Sequence, residues 1–357
     1  MIIVDDAAGM KITQIMLSKG FGGAERYFVD LSCALVECGH DIQVICHKSF
    51  RQLPQLMAVP GVQVTTVNPL GWWDFFARRR IFSAIARHRP ALVQAHLARG
   101  AYLAGRVCAK LKIPLVVKMH NYVDLKYYSR VDCFIATTLD QKSYLLKQGI
   151  DESRIRVIPN FSCIRPAQSA GPSRNTELII SSYGRLVRKK GFHVLLKAFR
   201  IVIDFGKKAR LHIGGDGPER SNLQSLCAQL GLDEHVRFCG WVADVEDFVG
   251  VADICVLPSL DEPFGIALLE MMALGRPIVA TRTQGPMEIL NDNTAWLVAP
   301  GDVDALASAL IDAAGHESER LSRAGLALQV FREKYAESVV VPQIVSLYQS
   351  LTRPQTE

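Results

Sequence analysis

Short apolar runs alternate with helix-period segments over almost the whole chain, a pattern that few folds accommodate. Strands are expected at 11–17, 41–46, 62–67, 91–95, 115–118, 133–136 and 156–158, with helices at 24–38, 74–89, 99–111 and 140–148 between them. Pro159-Asn160-Phe161 breaks the rhythm, and 162–175 is rich in Ser, Pro, Ala and Gly with little periodicity. A second set then begins, with strands at 178–183, 210–214, 236–239, 254–257, 277–280 and 295–298 and helices at 193–205, 219–230, 263–274 and 303–314. This alternation is the mark of βαβ units and parallel sheets. The expected fold class is α/β, with a Rossmann-like N-terminal domain 1–161, a linker 162–175 and a C-terminal domain 176–335 of the same kind. A last amphipathic helix, about 338–352, is expected to pack back on the first domain. Ligands of open parallel sheets bind outside the carboxyl ends of the strands, so two such domains facing across a cleft would offer their strand-end loops to one substrate.

Charge separates the halves. Residues 1–160 hold 21 Lys and Arg against 12 Asp and Glu, whereas the remainder holds 20 against 23. A basic half joined to a mildly acidic one points to an anionic partner for the first domain. Nine cysteines are an odd number without any C-x-x-C, which reads as reduced core residues rather than a zinc site or disulfide framework. Asp5 and Asp6 stand where a signal peptide would be positive. No apolar run reaches the roughly 18 residues that span a bilayer. The expected location is cytoplasmic, and no nucleic-acid partner is expected.

The informative residues follow strands. Gly20-Phe21-Gly22-Gly23-Ala24-Glu25 opens the first helix; its glycines allow close approach to a phosphate or sugar, but the spacing is not that of a dinucleotide fold. Asp261-Glu262-Pro263-Phe264-Gly265-Ile266-Ala267-Leu268-Leu269-Glu270 reads as a helix start with Pro263 in its first turn. Backbone N–H groups of Phe264, Gly265, Ile266 and Ala267 would face a pyrophosphate, with the helix dipole adding attraction. Glu270 would take the hydroxyls of a ribose, and Glu262 would point at whatever hangs beyond the phosphates. The competing reading is an acidic surface pair at a helix start. Arg185 and Lys190, near Gly184 and Gly191, supply two cations that can neutralise a diphosphate leaving group in place of a metal ion. His120 ends a strand and can donate to a sugar hydroxyl or phosphate; His96, at another strand end, reads more readily as structural. Asp302-Val303-Asp304 spells D-x-D, but it follows Pro300-Gly301 and precedes an apolar-periodic run, so Asp302 is expected to cap a helix.

The segments GGAER, VKMHN, VIPNF, GRLVRKKGFHVLLKAF, IGGDGPE, FCGWV, PSLDEPFGIALLEMMALGRPIVAT, GPMEI and WLVAPGD resemble, in order, the retaining glycosyltransferases related to sucrose synthase and phosphatidylinositol mannosyltransferase, glycosyltransferase group 1. That resemblance implies the GT-B architecture and transfer of a sugar from a nucleoside diphosphate sugar to an acceptor hydroxyl with retention. It implies a site of His120, Arg185, Lys190 and Glu262, with Gly22, Gly23, Phe264, Gly265, Ile266, Ala267 and Glu270 on the donor. No cofactor and no metal are implied. Two departures, Gln284-Gly285-Pro286 where two glycines are usual and His193 after the Lys-Gly pair, leave the sugar open. Alternatives are an epimerase on the same fold or a non-catalytic sugar-nucleotide or membrane-binding protein.

A glycan or glycolipid acceptor in bacterial envelope or lipopolysaccharide synthesis fits this class. Trp72, Trp73, Phe75 and Phe76 precede Arg78, Arg79 and Arg80 in the basic half. Such a patch suits a peripheral anchor on anionic lipid at the inner face of the membrane; otherwise the aromatics are core and the arginines solvated.

Overall fold

Ile12, Ile15 and Met16 on one strand and Ile42, Val44, Ile45 and Cys46 on the next are all fully buried. Strands hydrophobic on both faces need cover on both, and helical crossovers between parallel strands supply it. The computed structural model describes residues 9–20, 22–71, 73–122, 124–128, 130–171 and 177–352. The chain divides into two compact units, Met1–Asn160 with Val340–Glu357, and Phe161–Val339.

The first unit runs β1 (Lys11–Met16), α1 (Gly23–Glu37), β2 (Asp41–His47), α2 (Leu53–Ala58), β3 (Val62–Val67), α3 (Phe75–His88), β4 (Leu92–His96), α4 (Leu97–Leu111), β5 (Leu115–Lys118), β6 (Cys133–Ala136), α5 (Leu139–Lys147) and β7 (Ile155–Val157). The second runs β8 (Leu178–Tyr183), α6 (Phe192–Asp204), β9 (Ala209–Gly214), α7 (Arg220–Gln229), β10 (Val236–Gly240), α8 (Val245–Gly250), β11 (Ile254–Leu257), α9 (Ile266–Ala273), β12 (Ile278–Thr281), α10 (Gln284–Ile289), β13 (Trp296–Val298), α11 (Val303–Gly315) and α12 (Glu317–Lys334). Both sheets are parallel throughout, ordered β3-β2-β1-β4-β5-β6-β7 and β10-β9-β8-β11-β12-β13. Each is a doubly wound Rossmann-like α/β layer structure, as the alternation predicts.

The strands lie where expected to within a residue or so, while several helices differ. Helices α2, α8 and α10 have six residues each, too few for periodicity to register. Helix α12 is longer but buries only Ala324, Ala327, Leu328 and Phe331 among charged neighbours. The stretch 162–171 runs along the second unit: the Ala167 N–H donates to Ala273 O at 2.7 Å and Arg332 to Gln168 O at 2.9 Å. A final helix, α13 (Glu337–Thr352), carries Pro342; its buried Ile344, Leu347 and Tyr348 belong to the first unit. No helix among the described residues is long and apolar enough to cross a membrane. None of the nine cysteines is in a disulfide.

Asp74 caps α3, accepting from Ala77 N at 2.9 Å and Leu70 N at 2.8 Å. These N–H groups favour the carboxylate and lower its pKa. Its stabilising effect is therefore present above the unfolded pKa of about 3.9 and lost as pH falls through the lower folded value. Asp74→Ala should cost roughly 1 kcal/mol at neutral pH. Urea midpoints of wild type and variant should differ at pH 7 and converge toward pH 2; a constant difference would remove the cap from the account.

Candidate active site

Strand order reverses between β1 and β4 in one sheet and between β8 and β11 in the other. At such a reversal the crossovers leave on opposite sides, and the strand ends stay uncovered. In the second unit the loops after β8 and β11 fill this place. Gly191 takes φ 70°, and a Cβ there would stand 1.8 Å from Pro258 O, so only glycine lets the two loops touch. The Leu260 N–H donates to Lys189 O at 2.7 Å, and Lys189 pairs with Asp261 at 3.3 Å. Lys190 forms an ion pair with Glu262, which also accepts from Ser259 Oγ at 3.2 Å. Thr281 at the end of β12 donates to Ser259 O at 2.6 Å and steadies the loop. Arg185 is exposed, with no carboxylate partner among the described residues. The loop after β8 thus carries four cations, Arg185, Arg188, Lys189 and Lys190, and only the two lysines are paired with Asp261 and Glu262, leaving positive charge for an anion.

Helix α9 begins at Ile266, not in a first turn at Pro263. Gly265 at φ 96° caps it, and this left-handed residue separates Pro263 and Phe264 from the helix. Ile266 and Ala267 therefore carry the helix-start amides, while the Phe264 ring is buried against Tyr335, centroids 6.3 Å apart. Gly285 packs on the same segment: its N–H donates to Glu262 O at 2.9 Å, and a Cβ would lie 2.1 Å from Phe264 O. Glu270 is 2% exposed and accepts from the Tyr183 hydroxyl at the end of β8; Glu262 is 6% exposed. Buried carboxylates held by named partners are not a surface pair. Burial and the nearby Arg188 and Lys197 lower the pKa of His193, favouring its neutral form.

In the first unit the turn after β1 folds onto its own carboxylate. Gly22 caps α1 and Gly23 opens it. The carboxylate of buried Glu25 accepts from Ser18 Oγ at 2.5 Å, and its oxygens lie 3.2 Å from where a Cβ of Gly20 or Gly22 would stand. Phe21 lies outside the described residues. A phosphate set beside that carboxylate would be repelled, whereas a sugar hydroxyl would not. His120 follows β5, and its Nε2 meets Nδ1 of His96 at 3.0 Å, with Tyr27 edge-on at 5.5 Å. Burial, His96 and the Lys118 ammonium hold the His120 pKa well below 6.5, so the ring is neutral at pH 7. His96 is fully buried with its pKa lowered to about 3, and the next residue, Leu97, takes φ 62° to turn strand directly into helix. Lys118, also buried, donates to the carbonyls of Ile158 and Pro159. Sequence reasoning missed Lys118, Tyr183 and Ser259, and ranked His96 below its place here; only contacts reveal them.

Asp302 accepts from Ala305 N at 2.9 Å and caps α11, as its setting predicts. The aromatic patch is not core: Trp73, Phe75 and Phe76 are 76%, 61% and 82% exposed, beside exposed Arg79 and Arg80 and half-buried Arg78. Trp72 lies outside the described residues.

Residues 165–325 match the family model of glycosyl transferases group 1, and residues 21–161 that of Glycosyltransferase Family 4. Lipopolysaccharide core biosynthesis glycosyltransferase LpsE of Rhizobium meliloti is 29% identical over 84% of this chain and 88% of its own length. LpsD of the same organism is 28% identical over 92% and 95%. The crystal structure of Anabaena HepE in complex with UDP and glucose superposes with a TM-score of 0.81 at 21% identity, covering 96% of this chain and 100% of that one. This likeness shows the GT-B fold.

Gly285→Ala should cost about 1–3 kcal/mol, because backbone on both sides must move. Calorimetry would read a lower transition temperature; an unchanged one would mean the Gly285–Phe264 contact yields freely.

Proposed function

We propose that the chain is a group 1 glycosyltransferase that moves a sugar from a nucleoside diphosphate sugar to an acceptor hydroxyl with retention and without a metal ion. The observation that carries this reading is the convergence, at one strand-order reversal, of exposed Arg185, the Lys190–Glu262 pair and buried Glu270 around the start of α9. The first N–H groups of a helix lack intrahelical partners and attract anions. The diphosphate would lie on those amides, with Arg185 and Lys190 taking the charge that grows as the sugar leaves. Glu270, steadied by Tyr183, would accept from the ribose hydroxyls, and Glu262 would contact the sugar; for His120 the assignment to the donor sugar comes from the family resemblance. In the step itself the bond from the anomeric carbon to the phosphate oxygen breaks and the bond to the acceptor oxygen forms on the same face. The acceptor proton passes to the departing phosphate oxygen. No carboxylate is needed as nucleophile.

Among the described residues one cluster has metal-ligand spacing, Asp312, His316 and Glu319, at the exposed α11–α12 junction, where Glu319 is already paired with Arg323. It is outside the loops that hold Lys190 and Glu262; what supports the metal-free reading is the positive charge of Arg185 and Lys190 in those loops. The UDP bound to HepE favours uridine in the donor, and the names of LpsE and LpsD favour a lipopolysaccharide core acceptor. The Gly22–Gly23 turn, with Glu25 behind it, suits an acceptor hydroxyl better than a phosphate. An acceptor of that kind is membrane-borne. The exposed Trp73, Phe75 and Phe76 with Arg78, Arg79 and Arg80 suit attachment to anionic lipid.

Turnover of UDP-sugars should survive EDTA; loss restored by Mg²⁺ or Mn²⁺ would defeat the metal-free site. Glu270→Ala should weaken UDP and UDP-sugar alike by about 10- to 100-fold, through loss of charged hydrogen bonds. Glu262→Ala should leave UDP affinity equal or tighter, since Lys190 is released, while lowering kcat; equal losses by calorimetry would overturn this division of roles.

Each basic residue contributes about 1 kcal/mol at an anionic surface. Replacing Arg78, Arg79 and Arg80 by Glu should therefore abolish flotation with anionic liposomes while transfer to a soluble acceptor fragment persists. Equal flotation of the folded proteins would end the anchor reading.

A further inference from the structure

Gln14 on β1 and Gln94 on β4 are register partners with no exposed surface, and Tyr348 of α13 reaches both. The Tyr348 hydroxyl donates to Gln94 Oε1 at 2.6 Å and accepts from Gln14 Nε2 at 3.3 Å. Two amides that engage one hydroxyl with opposite ends must present opposite ends elsewhere. Gln14 turns Oε1 and Gln94 turns Nε2 toward His96 Nε2, at 2.9 and 3.2 Å. On its other side His96 meets His120, the rings stacked at 24° with centroids 5.3 Å apart. A polar chain of this length in a sheet interior is costly unless its members satisfy one another, and apolar residues would fill the space as well.

We propose that Tyr348 is a positioning residue for His120: by fixing the two glutamine amides it holds the His96 proton on Nε2, and so leaves His120 protonated on Nε2 with Nδ1 as its acceptor. A lone pair on His96 Nε2 would oppose the Gln14 carbonyl at 2.9 Å, the shorter of the two contacts, so the proton sits there. His96 Nδ1 then accepts, and the hydrogen in the 3.0 Å contact comes from His120 Nε2. A neutral imidazole so protonated carries its lone pair on Nδ1. Burial and Lys118 keep both rings neutral. An acceptor nitrogen takes a hydrogen bond from a sugar hydroxyl and repels a phosphate oxygen, so the C-terminal helix selects which part of the substrate His120 serves. This rests on the assignment of His120 to the donor sugar.

Long-range ¹H–¹⁵N spectra of the imidazoles in the full chain test it, with His120 assigned by loss of its signal in His120→Gln. Wild type should show His96 and His120 each as the single Nε2–H form at pH 7. Tyr348→Phe, which removes one oxygen, should give mixed tautomers in both rings and lower kcat by about tenfold or more with UDP affinity within about twofold. Gln14→Met, which keeps Tyr348, should move the His96 proton to Nδ1. Tautomers that stay fixed in both variants, or a wild-type His120 protonated on Nδ1, would overturn the proposal; lower thermal stability without a tautomer change marks a structural role only and overturns it equally. Absence of turnover with every UDP-sugar would count against the donor assignment, while the spectra still decide the positioning role.

Discussion

A parallel sheet can bind a ligand only where its helices part, and they part where the strand order reverses. In this chain that constraint acts twice, between β1 and β4 and between β8 and β11. Nearly every group assigned to the reaction is a consequence of it. The glycine turn follows β1 and His96 ends β4; Arg185 and Lys190 follow β8, and Glu262 follows β11. His120 follows β5, the next strand along. Both sheets are covered elsewhere by helices whose buried faces are ordinary aliphatic and aromatic packing. The uncovered strand ends are where polar side chains can exist without filling a core.

Polar groups at those ends are still largely shielded from water, and the structure meets their cost by pairing them. Glu262 has Lys190 and Ser259, Glu270 has Tyr183, and Lys118 has two carbonyls. Removing one member of a buried ion pair costs about 3–5 kcal/mol, and less where solvent reaches one partner, as it reaches Lys190 at 23% side-chain exposure. The partners therefore fix rotamers as well as charge. Rigid acceptors beside positive charge suit a nucleoside diphosphate, whose hydroxyls donate and whose phosphates accept. Two glycines keep this arrangement close: Gly191 lets the loops after β8 and β11 touch, and Gly285 lets α10 meet the backbone of Phe264.

The GT-B fold and the likeness to group 1 glycosyltransferases are legible in the residues because both rest on local patterns. Strand positions came from apolar runs that need burial on two faces, and the motif block from 258 to 270 is contiguous. Helices α8, α10 and α12 were not legible. The first two are too short for a period to show, and α12 buries only four of its 18 residues, two of them alanines, among charged neighbours. Sequence alone sets the start of α9 too early because proline favours a first helical turn, whereas Gly265 adopts the left-handed conformation that only context demands. The exposed Trp73, Phe75 and Phe76 read equally well as core from the sequence, since at a helix start the period is too short to say which face is covered.

By itself the sequence determined the alternation of strands and helices, the division of charge between the halves and the residue types that can meet a nucleotide sugar. These depend on side-chain period and chemistry, which a linear string contains. Tertiary structure alone decided which of those residues touch. Lys190 and Glu262 stand 72 positions apart yet share an ion pair. Tyr348 reaches Gln94 across 254 positions, and the protonation of His96 and His120 follows from neighbours that no local window includes. Hydrogen bonds and desolvation act over a few ångströms of space, and the folded path of the chain sets those distances.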